Sequence, residues 1–203
     1  MPGKEKTIIL DLDQTIISAE ADEDYDFKKH KTKAKLFTYH DMNSYYIVFE
    51  RPGLQDFLDF LFSNFNVCVW TAASKDYALF IIEKIIINGK KNRHVDWIFF
   101  SYHCDISRKL KKGTKDLSIL WDDYKIKGYN KHNTVIIDDY DEVHGIQPHN
   151  CIIAVPFEFT KSGSENDDYF KKLKPELTKF LESKKDSKPA KRINKSMKLL
   201  PKS

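Results

Sequence analysis

Ile8–Thr15 reads I-I-L-D-L-D-Q-T, an apolar run that ends in Asp11 and Asp13, one residue apart, with Thr15 just behind them. Thr134–Ile137 is a second apolar run, and it ends in Asp138-Asp139. A carboxylate taken out of water without a partner is costly, so buried strands normally stay apolar to their ends. If the two runs are strands of one parallel sheet, both open on the same edge and four carboxylates converge there. Like charges so close require a cation or protonation. A donor set made of oxygen alone, without His or Cys, suits Mg²⁺, a hard ion that keeps several waters and takes phosphate oxygens. A third apolar run, Asn66–Thr71, ends in Thr71, whose hydroxyl would face that edge as a donor to a phosphate oxygen. Each pattern alone also fits a plain structural role, as an acidic turn or a strand-end hydroxyl.

These residues need elements to hold them. Thr7–Leu10, Asn66–Thr71, Trp97–Phe100, Thr134–Ile137 and Ile152–Val155 read as short buried strands. Arg51-Pro52-Gly53 starts a helix that carries Leu54, Phe57, Leu58, Leu61 and Phe62 on one face. A second helix runs from Ser74 with Tyr77, Ile81, Ile82 and Ile85 inward, and Asp168–Glu182 is a closing helix. Leu36–His40 and Tyr45–Phe49 alternate around Asp41-Met42-Asn43-Ser44 and form a β-hairpin. Ala21–Lys35 reads as a charged loop. Strands separated by helices predict an α/β fold: a three-layer, Rossmann-like parallel sheet with helices on both faces, a hairpin insertion and no large cap domain.

The 203 residues suffice for one sizeable core. Hydrophobic content of 41%, with 14 Phe and 10 Tyr, excludes a disordered chain, and no apolar run of about 18 residues exists to span a membrane. Cys68, Cys104 and Cys151 are widely spaced and odd in number, which predicts reduced thiols; with no signal-like N-terminus, the expected location is intracellular, nuclear or cytoplasmic. The net charge of +4 is uneven: from Ser183 to Ser203 there are eight Lys or Arg against Asp186, a local +7 that leaves −3 on residues 1–182. Residues 183–203 hold two prolines and no evident apolar period, and read as a flexible basic tail behind a domain of residues 1–182. Such a tail suits nucleic acid or an acidic partner, or serves only solubility. His103, His144 and His149 read as structural or surface residues, Trp70, Trp97 and Trp121 as core.

Five stretches, in order, resemble the haloacid dehalogenase superfamily, in particular C-terminal-domain phosphatases of the FCP/SCP type (NLI-interacting-factor-like). They are D-L-D-Q-T at Asp11–Thr15, F-E-R-P-G-L at Phe49–Leu54, V-W-T-A-A-S at Val69–Ser74, K-D-L-S at Lys115–Ser118, and I-I-D-D at Ile136–Asp139 followed by Q-P-H-N at Gln147–Asn150. The resemblance implies Asp11 as nucleophile, forming an aspartyl-phosphate, and Asp13 as the acid and then the base. It implies Mg²⁺ on the Asp11 carboxylate, the Asp13 main-chain carbonyl and Asp139, with Asp138 and Thr15 in support. Thr71 and Lys115 would hold the phosphoryl oxygens. Gln14 stands where the family often has Glu, and Asp139 where some relatives have Asn. Relatives of the small type carry a phosphate-holding Arg near Phe100-Ser101; this chain has none, and the basic run Arg108–Lys112 is the candidate substitute.

With no large lid expected, the resemblance implies a Mg²⁺-dependent phosphatase acting on phosphoserine or phosphothreonine in proteins, RNA polymerase II C-terminal-domain-like peptides among them. Two other readings stay open: a nucleic-acid 3′-phosphatase with the same chemistry, and a non-catalytic binding module on the same fold.

Overall fold

The computed structural model describes residues 4–21, 27–111, 113–183 and 188–199. Its centre is a five-stranded parallel sheet of β1 (Thr7–Leu10), β5 (Asn66–Trp70), β6 (Val95–Phe99), β7 (Thr134–Asp138) and β8 (Cys151–Ile153), in the order β6-β5-β1-β7-β8. Alternation along each strand feeds two cores. Ile8, Leu10, Val67, Val69, Val135, Ile137 and Ile152 face one side. Ile9, Cys68, Trp70, Ile136 and Cys151 face the other. The inner stretches Ile8–Leu10, Val67–Trp70 and Val135–Ile137 are therefore apolar throughout, as expected where helices cover both faces.

The first face is covered by α2 (Leu54–Asn64), α3 (Lys75–Ile81, continued by a π-helical turn at Ile82–Ile87) and α6 (Tyr169–Glu182). The second is covered by residues of α4 (Ser101–Leu110), α5 (Asp141–Ile146) and a π-helical turn at Ile119–Asp123. All three cysteines are free and buried in this second core. Arg51-Pro52-Gly53 is a turn leading into α2 rather than its first helical residues. Leu54 N–H donates to Arg51 C=O at 3.0 Å and Gly53 has φ 77°, the type II geometry in which proline precedes glycine.

Between β1 and α2 lies a smaller antiparallel sheet, β2-β4-β3, built from β2 (Ile17–Ala21), β3 (Tyr39–Met42) and β4 (Tyr46–Glu50). The hairpin is where the alternation predicts it, but the turn is shorter. Asp41 and Met42 belong to β3 and Met42 pairs with Tyr46, so Asn43, Ser44 and Tyr45 connect the strands; Asn43 and Ser44 are the central residues of the turn, with φ 50° and 62°, and Tyr45 N–H donates to Met42 C=O at 2.9 Å. Such turns with positive φ match the twist of hairpin strands. β2 itself was not expected: its I-S-A-E-A is too polar to read as a strand, and it forms because β4 offers it a partner.

The expected charged loop at Ala21–Lys35 is also corrected. Phe27–Ala34 is a helix, α1, and residues 22–26 lie outside the described ones. Ala34 and Phe37 anchor its end in a third cluster with Ile47, Phe49, Phe157 and Phe159, where Phe49 and Phe159 stack at 3.6 Å between centroids. The tail is corrected over part of its length. Pro189–Leu199 is a helix, α7, whose Ala190 and Ile193 are fully buried in the first core. Residues 184–187 and 200–203 lie outside the described ones. Finally, Trp97 is 46% exposed on the edge strand β6 rather than core.

Candidate active site

Register brings the chemical residues together. Leu10 pairs with Val69 on one side and with Ile137 on the other, so Asp11, Trp70 and Asp138 follow at one level of the sheet. Asp11 N–H still donates to Ile137 C=O at 3.0 Å. Past that point β1 breaks into a tight loop: the N–H groups of Thr15, Ile16 and Ile17 all point to Leu12 C=O, and Gln14 takes φ 56°. A left-handed non-glycine residue stores strain that the fold must hold in place.

Arg51 does the holding. It is 1% exposed, donates through Nη1 to Thr15 C=O and Val155 C=O, both at 2.9 Å, and grips Asp167 with Nε at 2.8 Å and Nη2 at 2.7 Å. Its guanidinium also lies 4.3 Å above the Tyr169 ring. The motif F-E-R-P-G-L contained this residue, but nothing local in the sequence shows its three partners, which lie 36, 104 and 116 positions away.

One oxygen from each of Asp11, Asp138 and Asp139 falls within 4.8 Å of the others. The cluster therefore contains three of the four expected carboxylates. The Lys115 ammonium compensates them, 2.5 Å from Asp11 Oδ1 and 2.8 Å from Asp138 Oδ2, with the lysine only 4% exposed. Burial alone would lower the lysine's pKa, but the two carboxylates outweigh it and hold Lys115 above its ordinary value. The Thr15 hydroxyl lies 3.0 Å from Asp11 Oδ2 and 3.2 Å from Asp139 Oδ1, donating to one at a time. Both oxygens of Asp11 are thus oriented. Burial, then the charge of Asp11, raises Asp138 and Asp139 above the usual carboxylate range.

Asp13 diverges from the cluster. Its Oδ1 accepts a hydrogen bond from Tyr77 Oη at 2.5 Å, and burial pushes its pKa up to about 6. Tyr77 was legible only as an apolar helix position, because the phenol's use depends on the fold. Thr71 sits one residue past β5, 1% exposed, with its hydroxyl oxygen accepting Ala73 N–H at 3.0 Å. That leaves its O–H proton for an incoming oxygen.

Lys115 has φ 52°, and its loop is clamped from outside. Gln147 Nε2 donates to Lys115 C=O at 2.8 Å while its Oε1 accepts Leu117 N–H at 2.9 Å. The Ser107 hydroxyl donates to Gly113 C=O and accepts Asp116 N–H. This gives Gln147, present in the Q-P-H-N stretch without an assigned role, a structural purpose. The basic run Arg108–Lys112, the candidate substitute for the missing arginine, is partly engaged in ion pairs. Arg108 pairs with Asp105 at 3.1 Å, and Lys111 with Asp122 and Asp123; Lys112 lies outside the described residues. His103 is structural, its Nδ1 accepting Phe100 N–H at the start of α4.

Residues 6–188 match the NLI interacting factor-like phosphatase family. The chain belongs to that family. It is 43% identical over 180 residues to the putative CTD phosphatase-like protein 355R of Invertebrate iridescent virus 6, covering 87% of this chain and 99% of the relative. The protein of the same name in Invertebrate iridescent virus 3 is 40% identical over 184 residues, covering 88% and 98%. Among solved structures, the fission yeast RNA polymerase II CTD phosphatase Fcp1, as the R271A variant bound to beryllium fluoride, shares the fold. Its TM-score is 0.55 at 22% identity, over 93% of this chain and 54% of that one. Membership makes the chain a phosphatase of the FCP1 type, a phosphoric monoester hydrolase, on the expected Rossmann-like sheet. The α7 helix lies beyond the matched residues.

Proposed function

We propose that this phosphatase removes phosphate from phosphoserine or phosphothreonine in proteins, with Mg²⁺, through an aspartyl-phosphate on Asp11. The observation that carries the reading is the buried group of Asp11, Asp138 and Asp139 around Lys115, at the end of the two central strands. Its donors are all oxygen, which fits a hard cation. Asp11, Asp139 and the Asp13 main-chain carbonyl would hold the ion, with Asp138 in support. When bound, the ion supplies charge that offsets the phosphoryl oxygens.

Asp11, with its carboxylate fixed by Lys115 and Thr15, attacks phosphorus in line as the ester oxygen leaves. Asp13 gives its proton to that oxygen, then takes one from the water that releases phosphate from Asp11. Lys115 and the Thr71 hydroxyl stabilise the charge on the transferring group. The insertion between Thr15 and Thr71 is a small three-stranded sheet with α1 and α2, not a large cap, which suits a bulky substrate. The names of the viral relatives point to the same kind of substrate, a phosphorylated protein tail.

Turnover should be measured on an aryl phosphate, on phosphoserine and phosphothreonine peptides and on a 3′-phosphorylated oligonucleotide, with and without Mg²⁺. We expect Mg²⁺-dependent turnover of the peptides, with Asp11→Asn reducing it by about 10⁴-fold or more, the scale seen when a covalent nucleophile is removed. Turnover of the oligonucleotide far above the peptides would overturn the protein substrate. Full activity in Asp11→Asn would overturn the covalent route.

A further inference from the structure

Tyr77 occupies a position that packing alone does not explain. It stands in the first turn of α3, where Ser74 caps the helix by accepting Tyr77 N–H at 3.3 Å, so the segment that follows Thr71 also sets the place of the phenol. Its ring is buried, 6% exposed, and meets the Tyr46 ring edge-on at 5.4 Å between centroids. Tyr46 belongs to β4 of the insertion sheet. The phenol is therefore braced from two elements, and its hydroxyl ends on Asp13 Oδ1 at 2.5 Å, not on the Asp11–Asp138–Asp139 group. A neutral phenol beside a carboxyl oxygen donates its proton. A purely apolar wall would have been served by phenylalanine.

We infer that Tyr77 is a positioning residue for proton transfer: its hydroxyl fixes one oxygen of Asp13, so that the other carries the proton to the leaving oxygen and later receives one from water. The inference rests on the role of Asp13 proposed above. In the first step the ester P–O bond breaks as Asp11 forms its bond to phosphorus, and the Asp13 proton ends on the departing oxygen. In the second, water adds to phosphorus, one of its protons goes to Asp13, and the P–O bond to Asp11 breaks. Tyr77 exchanges no proton in either step. Its contribution is orientation, and in the first step, the one that kcat/KM reports, it matters only where the leaving oxygen needs a proton. An alkoxide such as that of serine needs one, and an activated aryl oxide does not.

The test is kcat/KM on an alkyl phosphate, such as glycerol phosphate or phosphoserine, beside an activated aryl phosphate, for the full chain and for Tyr77→Phe, Asp13→Asn and the double variant. Tyr77→Phe is expected to lose about tenfold in kcat/KM on the alkyl ester and less than about twofold on the aryl ester, a part of the 10²–10⁴-fold worth of a general acid. In the Asp13→Asn background the same change should have no further effect. Tyr46→Leu, which removes the bracing ring and keeps the phenol, should show a smaller loss with the same dependence on the ester. An equal loss on both esters in Tyr77→Phe, no loss on the alkyl ester, or additive losses in the double variant would each overturn the inference while leaving Asp13 in place. An Asp13→Asn loss that is equal on both esters would instead overturn the role of Asp13, and this inference with it.

Discussion

Lys115 is both the cation of the acidic cluster and the donor assigned to phosphate, and these uses compete for one ammonium. In the structure it satisfies Asp11 and Asp138 at once from a buried, left-handed position. Lys115→Met keeps the volume and removes the charge. Deleting one partner of a buried ionic group typically costs about 3–5 kcal/mol, and the carboxylates left behind would respond by taking up a proton. Denaturant titration should show that loss at neutral pH. Added Mg²⁺ should raise the melting temperature of the variant more than that of the parent, because the ion replaces the missing charge; an equal rise in both would refute the compensation. The acidic pairs were legible because charged residues at the ends of apolar runs are uncommon and expensive. Lys115 was legible only through the D-L-S that follows it, since a lysine among lysines carries no signal by itself. Tyr77 and Gln147 were not legible as site residues: each acts through one polar group on a side chain whose placement comes from distant packing.

At the scale of elements, α7 shows why a charge run was misread. Asn150 C=O and Ala154 N–H, on either side of β8, bond to β7, so the groups of Cys151 and Ile153 face outward. The Asn194 side chain meets both, Oδ1 accepting Ile153 N–H and Nδ2 donating to Cys151 C=O, each at 2.9 Å, while the Tyr169 hydroxyl donates to Ile153 C=O at 3.1 Å. One amide thus does for the edge what a neighbouring strand's peptide would do. Lys191, Arg192, Lys195 and Lys198 lie on the exposed side of the helix while Ala190, Ile193 and Asn194 are buried. With Ala190, Ile193 and Met197 as its points on the core, the period is too sparse to stand out among lysines. Asn194→Ala leaves a donor and an acceptor of the edge without partners and should cost about 1–2 kcal/mol in denaturant unfolding. An unchanged midpoint would show that water serves the edge equally well. The strands of the main sheet were legible from their continuous apolar runs, whereas β2 and α1 were not, because both depend on contacts with the insertion sheet and with Phe157 and Phe159.

For the molecule as a whole, the helix beyond the family match closes the side of the sheet. Removing residues 189–203 should therefore affect more than charge: it uncovers the outward groups of β8 that Asn194 meets and takes Ala190 and Ile193 out of the first core. Edges opened in this way pair with other chains. The truncated protein is expected to elute as dimers or larger species in size-exclusion chromatography and to melt lower. A well-behaved monomer with the parent's stability would mean that α7 is dispensable. Arg51 has a consequence of a different kind. It ties Thr15 and Val155 to Asp167, so the cleft floor is fixed by where the connection leaves, through Val155 and the Phe157 N–H that donates to Gln14 C=O, and by where it returns at Asp167. The exposed stretch Thr160–Gly163, beyond the buried Phe157 and Phe159, is thereby released to change in length and composition as lineages diverge, while a single carboxylate past its end keeps the reacting groups where they are.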